Sequence, residues 1–294
     1  MKFNKKTGKT PVETIKNLNT ETKAFIVLLV IMAVYYGWRM FALTPWYDEL
    51  YTYYCFISKG PVYSAIHWPL PNNHVGYSVL SGFLNYLGNS YIGLRGVSYI
   101  CALVNLGLIY KISGRYFEKR QALGIVILYL SMGMVNQMAV QGRGYTLGVT
   151  CYLVAFWCMI RICEEDKVSK WTYLVYIAAL TLGLYTVSSD VYWVVPLCLA
   201  GGFFLLIKSI HSGRQDKIGF LKTQDGKRLV KLVVVSMIAA VLTVGLYATI
   251  WLAIGSNLLV KDAESIYFGM GHVDMILKAP FDAIRRGMSY MLDT

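Results

Sequence analysis

Two adjacent carboxylates, Asp48 and Glu49, stand in the stretch TPWYDELYTYY, directly behind the first long apolar run of the chain. A carboxylate in such a place can take a proton from an acceptor hydroxyl, or it can complement the dipole of a helix that starts there. Thr44 and Pro45 offer a cap and a first position for that helix, so both readings are open on the residues alone. Further on, PNNHVGY brings Asn73 and His74 behind a proline turn, and GLRGVSY places Arg95 about one turn inside an apolar run. QGRGY sets Arg143 between two glycines with Tyr145 following, and VSSDVYW contributes Asp190. A guanidinium close to hydrocarbon costs about 2.5–3.5 kcal/mol and needs a partner, a headgroup or a function. Its planar fork suits a phosphate, and the flanking glycines permit a turn and close approach by a ligand. No His-x-x-x-His pair, glycine-rich nucleotide loop or Ser-His-Asp arrangement occurs, so soluble-nucleotide chemistry has no support. Metal ligation is unknown: no spacing indicates it, and a divalent cation bridging carboxylate and phosphate stays open.

The elements that must position these residues are membrane spans. With 56% hydrophobic and only 15% charged residues in 294, the chain is far too apolar for an ordinary soluble domain. Runs able to cross a bilayer are 24–43, 92–110, 121–140, 144–160, 171–187, 191–207 and 232–252. The run 75–88 is short and carries Ser78, Ser81 and Asn85, which predicts an interfacial helix in place of a crossing. Leaving it out puts most of the 28 Lys and Arg residues into 1–23, 111–120, 161–170 and 208–231, all on one side. By the positive-inside rule that side is the cytoplasm. The expected fold is therefore all-α: a bundle of about seven spans with the N-terminus inside. Its parts are a basic cytoplasmic segment 1–23, a core 24–252 with the first outer loop at 44–91, and an outer segment 253–294.

The formal charge of +12 follows from this topology and from contact with anionic headgroups, so nucleic acid is not needed. The first run lacks a small-residue cleavage site and reads as a retained span. The six cysteines show neither a disulfide framework nor zinc spacing. Nearly all the unusual polar residues then gather on the outer face.

The order of these pieces resembles the C-type glycosyltransferases, in the branch of dolichyl-phosphate-mannose protein mannosyltransferases and bacterial aminoarabinose transferases. The stretches that carry the resemblance are Asp48-Glu49, Pro71-Asn72-Asn73-His74, Gly88 through Leu94-Arg95, and Gln141 through Tyr145. The resemblance implies an inverting transfer of a sugar from a polyprenyl-phosphate donor to an acceptor hydroxyl on a glycan, lipid or protein. It implies an integral protein of a bacterial plasma membrane with its site on the outer face. In that reading Asp48 is a general base or organises the acceptor, Glu49 belongs to the same catalytic pair, and Asn73, His74, Arg95, Arg143, Tyr145 and Asp190 bind substrate. The chain has NNHVG where many members carry His-Pro-Pro or Lys-Pro-Pro, and its end at SYMLDT suggests a minimal core or a fragment. Two competing readings are a transporter or lipid flippase, whose ionisable residues belong near mid-membrane in repeated halves, and a non-catalytic scaffold.

Overall fold

The computed structural model describes residues 19–67, 73–254 and scattered positions between 269 and 285. Pro71, Asn72, most of the segment 1–23 and most of 253–294 lie outside the described residues. Every regular element described is helical. Helix α1 (Thr20–Ala42) starts under the side chain of Asn19, which accepts from the Thr22 N–H. The first loop folds into α2 (Tyr47–Cys55), α3 (Pro61–Ile66) and α4 (Val75–Asn85). Helix α5 (Ser90–Tyr116) is capped by Asn89, whose Oδ1 accepts from the N–H groups of Tyr91 and Ile92. There follow α6 (Lys119–Ser131), α7 (Gly133–Met138), α8 (Tyr145–Glu164), α9 (Lys170–Thr186), α10 (Val191–Gln215) and α11 (Gln224–Ile254).

Five helices among the described residues are long and apolar enough to cross a membrane: α1, α5, α8, α10 with its preceding turn, and α11. The crossings expected at 121–140 and 171–187 do not meet that length. The first is divided at Met132 into α6 and α7, and the second is the 17-residue α9. The division is built from specific groups. Asn136 Nδ2 donates to the Leu130 carbonyl at 2.6 Å, which an unbroken helix would have satisfied internally, and also to the Met132 carbonyl at 3.1 Å. Tyr36 OH donates to Asn136 Oδ1, and Arg39 Nη1 donates to the Asn136 carbonyl at 2.6 Å. Irregular backbone at membrane depth persists where protein groups satisfy it in this way.

Helix α4 has 11 residues, about 16 Å of length, and cannot cross. Its serines and glycines face inward. Ser78 and Ser81 are fully buried, and a Cβ on Gly82 would stand 2.9 Å from the Pro61 nitrogen. The polar composition that distinguishes 75–88 from a span thus lets α4 lie close against α3 and α5. Helix α8 packs against both α5 and α9, with one apolar core around Ile162, Tyr176 and Leu180 and another around Tyr77, Leu94 and Leu147.

Candidate functional site

Helix α2 begins at Tyr47, so Thr44 and Pro45 are not its cap and first residue. Glu49 bends back to accept the Trp46 N–H on Oε2 at 2.9 Å, closing the first turn. The same carboxylate, 1% exposed, is gripped by Arg95 through Nε to Oε1 at 2.7 Å and Nη2 to Oε2 at 2.9 Å. Oε1 also accepts the Gly142 N–H at 2.7 Å. The remaining Arg95 nitrogen, Nη1, donates to the Met40 and Leu43 carbonyls at the end of α1. One buried ion pair therefore joins α1, α2, α5 and the turn before α8, and its hydrogen bonds offset the cost of taking both charges out of water. Gly142 is required by this approach: a Cβ there would meet Leu94 Cδ1 at 2.5 Å and Glu49 Oε1 at 3.1 Å. The close approach foreseen for a ligand is occupied by the protein's own carboxylate.

Arg143, 5% exposed, leaves the same turn in the other direction. Its Nη1 donates to Thr52 Oγ1 at 3.1 Å, and the Thr52 hydroxyl donates to the Asp48 carbonyl one turn earlier on α2. His74 is fixed by the next residue: the Gly144 N–H donates to its Nδ1 at 2.8 Å. A ring nitrogen that accepts an N–H carries no proton, so the neutral imidazole bears its proton on Nε2. That Nε2 lies 3.4 Å from Arg143 Nη2. Two donors therefore stand side by side, an arrangement that favours an anion accepting from both. Burial, aided by the Arg143 charge, lowers the His74 pKa to about 3, so the ring is neutral at physiological pH. Tyr145 stands edge-on to it, with ring centroids 4.8 Å apart.

These groups open on a cavity of about 390 Å³ lined by Asp48, Asn73, His74, Arg143, Tyr145, Thr186, Val187, Ser188, Ser189 and Tyr247. Asp48 is exposed there, and its carboxylate makes no hydrogen bond or ion pair among the described residues. Asn73 spends its amide on the loop, donating to the carbonyls of Ser64 and His67 and accepting from the Ser78 hydroxyl. Glu49 and Arg95 stand behind the cavity wall. Asp190 is absent from the lining: its carboxylate packs where Gly148 and Gly183 leave room, between α8 and α9. Sequence reasoning missed Thr52, Thr186, Ser188, Ser189 and Tyr247. Thr52 was within reach of it, four residues beyond Asp48 and hence on the same helical face. Tyr247 carried no signal inside an apolar run. Among the described residues no three His, Cys, Asp or Glu side chains converge as a metal site would require.

A second cavity of about 240 Å³ lies beside the first, lined by Tyr36, Ala102, Leu106, Tyr129, Met132, Met134, Val135, Met138, Thr146, Val149 and again Tyr145. It is apolar and borders the break between α6 and α7. Tyr145 is a wall common to both chambers.

Comparison with curated proteins and with solved structures gives no match. A family model does match, over residues 75–224, which carries Arg95, Arg143 and Tyr145 but begins one residue after His74. With just over half of its length matched and with helices apolar enough to span a bilayer, the chain belongs to the dolichyl-phosphate-mannose-protein mannosyltransferase family of membrane glycosyltransferases.

Proposed function

We propose that this chain moves a sugar from a polyprenyl-phosphate donor to an acceptor hydroxyl at the outer face of the membrane, with inversion. The observation that carries this reading is the cavity lined together by Asp48, Arg143 and His74, with the His74 Nε2 beside the Arg143 guanidinium. The acceptor oxygen attacks the anomeric carbon from the side opposite the phosphate, and the carbon–oxygen bond to phosphate breaks. Asp48 takes the hydroxyl proton; the departing phosphate keeps the electron pair and its charge is met by Arg143 and His74. A single displacement of this kind inverts the anomeric centre. The neutral His74 supplies a hydrogen bond without adding a second fixed charge beside Arg143. The lipid end of the donor is accounted for by the apolar chamber across Tyr145, next to the break after α6. The topology that supports an outer-face site is seven crossings, with α6–α7 and α9 spanning despite their lengths. Basic residues then collect inside and residues 44–91 lie outside.

The test is transfer from a polyprenyl-phosphate sugar in membranes containing Asp48→Asn at parental expression. Loss of a general base lowers the rate about 10²–10⁴-fold. Near-parental turnover would remove Asp48 from the chemistry.

A further inference from the structure

Far from the cavity that holds Asp48, α8 forms the floor of a groove between α5 and α9. Trp157 lies 12 residues beyond Tyr145 on α8, about 18 Å along the axis, and Arg161 a further turn away. The groove encloses about 370 Å³, with Leu108, Val154 and Val175 as apolar lining and Arg161 and Ser169 as polar lining. Trp157 also lines the groove, and against its ring sit the Lys111 Nζ, 4.7 Å from the ring centre, and the Arg115 guanidinium, 5.9 Å from it. Glu164 pairs with Arg115 and Glu165 with Arg161, each at 2.9 Å. Lys111 has no carboxylate partner among the described residues, so the groups around Trp157 keep an excess positive charge. Trp171, which also lines the groove, is 74% exposed.

We infer that this groove is a binding site for one anionic phospholipid, with its phosphate between Lys111 and Arg161 and one acyl chain along Leu108, Val154 and Val175. A small soluble anion would gain nothing from the apolar floor. A zwitterionic lipid brings its own ammonium next to the phosphate and forfeits the attraction of Lys111. Basic pockets between membrane helices suit anionic headgroups for this reason, and an exposed indole in the lining lies naturally at headgroup depth. The site is independent of the transfer reaction and needs no substrate.

The experiment is mass spectrometry of the intact full chain released from micelles holding equal amounts of phosphatidylglycerol and phosphatidylcholine with matched chains. The parent should retain phosphatidylglycerol preferentially, and less of it at high salt. Lys111→Gln, at an exposed position, should bind phosphatidylglycerol about fivefold more weakly while its phosphatidylcholine level stays unchanged. Val175→Trp, which fills the groove from a half-exposed position, should lower retention of both lipids. Equal retention of the two lipids by the parent overturns the proposal, as does unchanged phosphatidylglycerol retention in Lys111→Gln or unchanged retention in Val175→Trp.

Discussion

Glu49→Gln should damage the fold of this protein far more than Asp48→Asn, although the two residues are adjacent. Each Glu49 oxygen accepts two N–H groups: Oε1 from Arg95 Nε and Gly142, Oε2 from Arg95 Nη2 and Trp46. Whichever way a glutamine amide is turned, its NH₂ meets two donors. The Arg95 charge, 2% exposed, also loses its counter-charge. Breaking a buried pair by removing one partner costs about 3–5 kcal/mol. Asp48→Asn changes an exposed group with no partner among the described residues, an effect within about 0.5 kcal/mol. Equilibrium unfolding in mixed micelles, read beside transfer rate, separates the two: Glu49→Gln loses stability and, through displacement of the Arg143 turn, activity. Asp48→Asn loses activity alone. Adding Arg95→Met to Glu49→Gln should recover part of the stability, because no uncompensated charge remains, though the Met40 and Leu43 carbonyls lose their donor. A Glu49→Gln protein as stable as the parent yet inactive would refute the structural role and place Glu49 in the chemistry.

Arg143→Lys keeps the charge but loses the fork that reaches Thr52 and faces the cavity, so kcat/KM at limiting donor should fall at least tenfold; parental activity would refute a bidentate grip. His74 titrates at about 3 in the folded protein against an ordinary value of 6.5, so the unfolded chain binds more protons between those values. Stability from this residue is therefore complete above about pH 6.5 and declines below it, by about 2 kcal/mol at pH 5. His74→Gln should remove that increment from the pH dependence of unfolding; an unaltered profile would contradict the buried neutral ring. For topology, single cysteines at Ser58 and Ser212 in a background without the six native cysteines should label from opposite sides of the membrane. Labelling from the same side would end the seven-crossing arrangement.

Arg143, His74 and Asp48 were legible in the sequence because ionisable or polar groups beside apolar runs are costly and therefore few. The division of labour between Asp48 and Glu49 was not. Neighbours on a helix point about 100° apart, and which one turns inward is decided by Arg95, 46 residues later. The glycines of QGRGY were visible, but what they make room for was not: Gly142 admits Glu49, and Gly144 admits Thr186 and His74. Hydropathy ran straight across Met132, since the break after α6 depends on the Asn136 side chain and on Arg39 from another helix. Asp190 stood out as an acidic residue in a turn between two apolar runs, yet its carboxylate packs against two glycines and is absent from the cavity lining.

The Glu49–Arg95 pair also bears on how the chain is made. Ribosomes deliver Glu49 before Arg95, so when the helix carrying this arginine leaves the translocon its counter-ion has already emerged. Arg95 lies in the second turn of α5, and an arginine inserted there alone would leave water with no charge to offset its own. Here α1, α2 and α5 can close around the pair as a first assembly unit, with the Met40 and Leu43 carbonyls completing the shell of Arg95. Gly142 arrives later and docks its N–H on an oxygen already held in place. A nascent chain halted before residue 142 already holds the carboxylate and both carbonyls that accept from Arg95.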